Sequence, residues 1–262
     1  MRYDLKAIAA PRKGRVTLPP IEDRYAAVLD THRALRVMLR GIRDEAQASV
    51  LPRLRADRGL TTDAAEREWF RTLRAAQKAL QATAERMVER ILRREGDRHT
   101  AAFAEGVKRR LGVDLAAVLA GDGLEALMTA RALATASAIS GLSESAVAGV
   151  EQIVTAASVN GTSLKTVRKQ LTDKFGIEDR RAGRIARDQV ASWNADLNEL
   201  RQSEAGVTEY VWRSSKDERT RPLHKALEGR TFKWGKPTDA ENGLPPGKPI
   251  MCRCTAEAVI VF

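Results

Sequence analysis

The chain has 262 residues, with 45 Lys and Arg against 34 Asp and Glu, a formal charge of +11 and 5% aromatic residues. That length supplies a substantial core for one or two domains; no segment reaches the roughly 20 uncharged apolar residues of a membrane span, and Met-Arg-Tyr-Asp at the start lacks the apolar run of a secretory signal. Cys252 and Cys254 are spaced i, i+2, a poor disulfide geometry, so nothing in the sequence suggests oxidative stapling and a cytoplasmic origin is expected.

The basic excess is uneven. Residues 1–112 hold 25 Lys and Arg against 15 Asp and Glu, residues 113–176 hold 5 against 6, and residues 177–262 hold 15 against 13. Such a block suits phosphate backbone or an acidic protein surface, and equally a set of solvated Arg-rich helix faces. Few aromatics lie there to stack on bases, which speaks against sequence-specific reading of single strands.

In chain order, residues 1–20 read as an extended basic arm: Pro11, Gly14, Pro19 and Pro20 break any helix among Arg12, Lys13 and Arg15, so the arm is expected to fold only against something else. Residues 21–112 read as a basic helical region. Tyr25, Leu29, His32, Leu35, Met38 and Ile42 recur at three and four and predict an amphipathic helix with His32 buried on its stripe. Pro52 breaks the run, Asp63 with Glu66 can cap the next helix, and Trp69, Leu73, Ala76, Leu80, Ala84, Met87 and Ile91 carry a long helical stripe. Gly96 is expected to end that helix and His99 to be exposed in a polar link, with no partner at metal-ligand spacing.

Residues 113–205 read as a low-charge helical bundle region, because between Leu111 and Asn160 Ala, Gly, Ser and Thr replace charges and let helices approach closely. From Ser163 a helix carries Leu164, Val167, Leu171 and Phe175. Gly176 is expected to stop it before a second helix with Ile185, Val190, Trp193, Leu197 and Leu200. That pair, with Arg180, Arg181, Arg184 and Arg187 on its second member, has the outline of a helix-turn-helix, but arginine-faced helix pairs are common and a supporting role for the tail is favoured.

Residues 206–262 read as a small α+β module. Thr208, Tyr210 and Trp212 alternate as a strand; Pro222 suits a first helical turn; Leu223 and Leu227 follow one turn apart, and Gly229 can end the helix with positive φ. Thr231 to Trp234 form a second strand and the Gly- and Pro-rich stretch from Gly235 to Pro249 a loop. On the last run Cys252, Cys254, Ala256, Ala258, Ile260 and Phe262 share one face and Arg253 and Glu257 the other, a strand apolar enough to lie inside a sheet. The predicted fold is mainly α: a multi-helix body followed by a small C-terminal α+β module.

The order Trp212, Asp217, Arg221, His224, Leu227, Gly229, Phe232, Trp234, Pro246-Gly247 and Cys252-Arg253-Cys254 resembles the C-terminal signature of the phage head morphogenesis family, the Mu F-like minor head (minor capsid) proteins. Gly161-Thr-Ser163, the helix to Phe175, Arg184-Ile-Ala-Arg187 and Asn194 fit the same family's helical lead-in, so the resemblance covers about Ser143 to Val259. One departure is plain: Asp188-Gln189 stand where the family usually has Thr-Glu. The resemblance implies a structural virion component made in host cytoplasm, present in few copies at the portal vertex, with the portal and capsid or scaffold proteins as partners and a part in head assembly, DNA packaging or ejection. No membrane span and no catalysis are expected, and non-specific contact with DNA backbone is the expectation for the basic region. The residues leave the oligomeric state open.

Three accounts of the tail constellation stand open at this point. His224, Cys252 and Cys254, with Asp217, suit a structural zinc ion, since thiolates and imidazole are its favoured ligands and a carboxylate can complete a tetrahedron. Alternatively Asp217, Arg221 and His224 form a catalytic group, with His224 as acid or base and Arg221 on a phosphate, giving a DNA-processing nuclease or a toxin-like effector. In the third account Asp217 pairs with Arg221 or Arg253, His224 bonds a backbone carbonyl and the cysteines are small core residues.

Overall fold

The computed structural model describes residues 3–10, 13–56, 63–115, 119 and 123–262, with side chains 55–56, 63–67 and 69 left aside. The expected Asp63–Glu66 cap and the Trp69 side chain therefore lie outside the described residues. Among those described, helices α1 (Leu5–Ile8), α2 (Tyr25–Glu45), α3 (Leu51–Ala56), α4 (Asp63–Leu111), α5 (Leu124–Asn160), α6 (Leu164–Glu204) and α7 (Pro222–Leu227) accompany strands β1 (Arg15–Thr17), β2 (Glu209–Arg213), β3 (Thr231–Lys233) and β4 (Thr255–Val261). The fold is mainly α with a small C-terminal α+β module. No helix among the described residues is long and apolar enough to cross a membrane.

Two compact units interleave along the sequence: Met1–Ala27, Ile91–Arg131 and Arg187–Phe262 form one, Val28–Arg90 and Ala132–Ala186 the other. In the second unit the small residues do what small residues do at a helix crossing. A Cβ on Gly41 would lie 2.8 Å from the Leu80 methyls and one on Gly149 would overlap the Lys174 side chain, so glycine on α2 makes room for a side chain of α4, and glycine on α5 for one of α6. Between α4 and α5 a buried polar seam runs from Gln77 through Ser143 to Gln81, each group finding a partner at 2.9–3.0 Å. Glu178, buried on α6, is held by Ser145 and Lys174.

The first unit is organised by an antiparallel sheet in the order β1-β4-β2-β3. β4 is interior, buried on both faces over Thr255–Ile260, in keeping with its apolar composition. The N-terminal arm supplies the neighbouring edge: Arg15 pairs with Val261 and Thr17 with Val259, and Leu18 N–H reaches the Ala258 carbonyl at 3.1 Å. The partner against which the arm folds is thus its own chain's last strand. Asp4 caps α1 through Lys6 N–H, and Leu5, Leu18, Phe103, Val107, Leu111, Ala258 and Ile260 close a shared core.

Five local expectations are corrected. Gly96 does not end α4, which runs on to Leu111; a Cβ there would meet Leu124 at 2.9 Å and Trp193 at 3.4 Å, so the glycine serves close packing. His99, expected exposed, is consequently fully buried within α4 and hydrogen-bonded to Asn198 Oδ1 at 3.2 Å. Nor does Gly176 interrupt α6, one continuous helix from Leu164 to Glu204, so no helix-turn-helix exists there. Pro52 marks a change of winding more than an end: a π turn over Ala46–Val50 widens the helix just ahead of it, where proline removes an N–H and crowds the preceding turn. His32 is half-buried with a carboxylate partner, Asp179, at 3.1 Å.

Candidate functional site

The tail module builds its site from loops hung on β2, β4 and the long α6. Trp212, fully buried on β2, forms the floor, packing edge-on to His224 at 5.2 Å and to Phe232 at 6.1 Å. Pro222 opens the six-residue α7, so its missing N–H costs nothing. His224 and Leu227, three apart, turn inward while Leu223 is 42% exposed, so the inward face is not the Leu223–Leu227 pair expected from spacing. Gly229 closes the helix at φ +77 and hands its N–H to the Trp212 carbonyl at 2.9 Å. Trp234, after β3, stacks obliquely on Tyr210 at 4.2 Å and donates its indole N–H to Gln202 of α6.

The second half of the site comes from the Gly/Pro-rich loop. Gly247 takes φ +87, and a Cβ on it would stand 3.0 Å from that of Ala195 and 3.3 Å from the Ala191 carbonyl, so glycine here lets the loop lie directly on α6. Met251, left-handed at φ 59, turns the chain inward; its N–H goes to Asp188 Oδ1 at 3.2 Å, and Cys252 N–H returns to the Pro249 carbonyl at 2.8 Å. Asp188, one of the two residues that depart from the family pattern, thus has a structural role in this chain.

These turns bring Cys252, Cys254 and His224 together, all buried, with one ligand atom from each within 4.8 Å of the others. His224 Nδ1 is 3.5 Å from both sulfurs. Its other nitrogen, Nε2, meets Glu241 Oε2 at 2.7 Å. Glu241 was not singled out by the sequence: it lies in the loop, on a short 3-10 turn kinked by left-handed Asn242, with no local signal tying it to a histidine on another element. Its carboxyl is held below the ordinary value, first by the His224 hydrogen bond and against some desolvation.

Two backbone N–H groups, of Gly247 and Cys254, point at Cys252 Sγ at 3.4 Å each. The Cys252 thiol is therefore shifted down, first by the Cys254 thiol beside it and, against burial, by these N–H groups and the neighbouring His224. Cys254 is shifted up, because a second thiolate would face the first and is desolvated as well. Among the described residues the indole Nε1 of buried Trp212 has no ordinary hydrogen-bond partner, and its N–H favours the ionised form of Cys254.

Asp217 is not in the Cys/His group. Burial works against its ionisation, but Arg253, Thr220 and the Arg219 N–H outweigh that and hold its carboxyl low; Arg253 reaches it at 2.7 Å. Arg221 spans Glu241 at 3.3 Å and the Ile250 carbonyl at 2.6 Å. Asp217 thus pairs with Arg253, one of the two arginines offered to it by the sequence, while His224 bonds a carboxylate where a backbone carbonyl was expected. A cleft of about 230 Å³ opens beside the cluster, lined by Arg187, Arg219, Arg221 and Arg253 with His224, Cys252 and Cys254.

Residues 148–257 match the family described as Phage Mu protein F like protein, which bears out the resemblance read from the spaced signature. A protein of Haemophilus influenzae, described as an uncharacterized protein, is 28% identical over 179 residues, which make up 68% of this chain and 39% of that protein. The chain therefore matches well under half the length of that relative. No solved structure matches.

Proposed function

From the Phage Mu F-like character of residues 148–257, we propose that this protein is a structural minor head (minor capsid) protein of a tailed phage, associated with the portal vertex and assisting head assembly, DNA packaging or ejection. The matched stretch takes in α6 and almost the whole tail module, the elements that build the Cys/His cluster, and this is the observation that carries the reading. Its site of action is the virion, and its partners are the portal and capsid or scaffold proteins. The basic residues 1–112 supply non-specific contact with DNA phosphate.

The geometry favours a structural role over catalysis. The catalytic reading needs Asp217, Arg221 and His224 to act as one group, and they are not assembled as one: Asp217 pairs with Arg253, Arg221 with Glu241 and the Ile250 carbonyl, and His224 faces Glu241 and the two sulfurs. The test is co-expression with the portal protein of the same phage, followed by size-exclusion chromatography, with a nucleic-acid cleavage assay in magnesium or zinc alongside. Co-elution and intact DNA and RNA are expected. Cleavage that disappears in His224→Ala would overturn the proposal in favour of a nuclease.

A further inference from the structure

We propose that His224, Cys252 and Cys254 are the ligands of a zinc ion, and that Glu241 is the residue that fixes the His224 imidazole for it. The separations fit. A tetrahedral ion with Zn–S near 2.3 Å and Zn–N near 2.0 Å sets its nitrogen and sulfur ligands roughly 3.5 Å apart, and Nδ1 lies 3.5 Å from each sulfur. All three ligand residues are buried. Two thiols and an imidazole gathered round a common point, and not dispersed among aliphatic side chains, are hard to account for as packing alone.

The surroundings are made for thiolates. Gly247 N–H and Cys254 N–H converge on Cys252 Sγ, and Trp212 Nε1–H, with no ordinary partner among the described residues, favours the ionised form of Cys254. The carboxylate on Nε2 fixes the tautomer that leaves the Nδ1 lone pair facing the sulfurs, the arrangement by which outer carboxylates orient metal-bound histidines. Two sulfurs and one nitrogen select zinc over magnesium or calcium, which take oxygen. Loading releases the two thiol protons to solvent as the Zn–S bonds form. Among the described residues no fourth His, Cys, Asp or Glu joins the group; Asp217 is committed to Arg253. The three ligands line the arginine-rich cleft, so the fourth position falls to water or to an anion that enters it.

The experiment uses the full chain, purified without a histidine tag. Elemental analysis should find about one zinc per chain, and the chelated protein titrated with cobalt(II) should develop thiolate-to-cobalt charge-transfer absorption together with the visible bands of a tetrahedral ion. Cys252→Ser and Cys254→Ser should each abolish the charge-transfer band or cut its intensity. Glu241→Gln should keep the band and lower zinc affinity roughly 10- to 100-fold, an effect that a purely structural role for Glu241 would not produce. Should the serine variants fail to fold, cobalt titration of the wild-type chelated protein decides alone. Zinc well below stoichiometry with no thiolate-to-cobalt absorption would overturn the site, as would metal binding that survives both serine substitutions. An unchanged affinity in Glu241→Gln would remove the role given to that residue.

Discussion

At the scale of single residues, His99 shows how a helix can carry a polar group into a core. Asn198 turns its amide N–H groups to the carbonyls of Asn194 and Ile21, which leaves its Oδ1 to accept from His99 Nε2–H. His99 Nδ1 is buried with no partner among the described residues, an arrangement suited only to the neutral ring. Burial, with Arg98 and Arg201 nearby, lowers the pKa from 6.5 to about 3 despite the Asn198 hydrogen bond. The unfolded chain takes up a proton below pH 6.5 that the native state refuses until about pH 3, so stability contributed by this residue is intact above that window and falls as pH drops through it. The slope is about 1.4 kcal/mol per pH unit. Urea unfolding of the wild type and of His99→Gln from pH 7.5 downward should therefore show the two stabilities converging below pH 6.5, since only the wild type carries this proton linkage; parallel curves would contradict a buried neutral ring. From sequence alone His99 looks exposed, because Gly96 resembles a helix end three residues earlier.

The same misreading operates at the scale of elements. A glycine in a helix costs only about 1 kcal/mol relative to alanine, too little to stop a helix whose apolar face continues on both sides. The α4 and α6 faces continue past Gly96 and Gly176, and neither glycine has positive φ. Gly161, by contrast, has φ +63 and does separate α5 from α6. Near Gly176 a Cβ would find only Arg180 Nη1 at 3.9 Å. Gly176→Ala should accordingly stabilise the protein by about 0.5–1 kcal/mol, and Gly161→Ala should destabilise it by roughly 1–2 kcal/mol through its left-handed backbone. Thermal or urea melts of the two variants check this; a loss of stability in Gly176→Ala would mean that α6 is broken there. Turn chemistry was legible elsewhere because it is local: Pro222 at a helix start, Gly229 at its end, the loop through Gly247, the interior β4. β1 and Glu241 were not legible, since a three-residue strand in a proline-rich arm and a loop carboxylate acquire their partners, β4 and His224, only through tertiary contact.

At the scale of the whole molecule, sequence order and spatial order part company. The two units take their residues alternately from the chain, with α2, α4, α5 and α6 each contributing to both, a pattern that composition along the sequence cannot reveal. The charge asymmetry is read more directly. Arg24, Arg33, Arg43, Arg71, Arg74, Arg93 and Arg98 all stand in ion pairs, so part of the basic block is the ordinary surface of charged helices, while the excess of 25 cations over 15 anions in residues 1–112 persists whatever the pairing. The proposed zinc site and the proposed head assignment are independent of one another: an ion in the module would not depend on where the protein acts, and a head protein can do without one. The decisive test of the proposed head assignment is quantitative mass spectrometry of density-gradient-purified proheads and mature heads assembled in cells that express this chain from its native locus. The protein is expected in both, at a low copy number comparable with that of the portal. Its confinement to the soluble lysate, with none in either particle, would contradict the assignment.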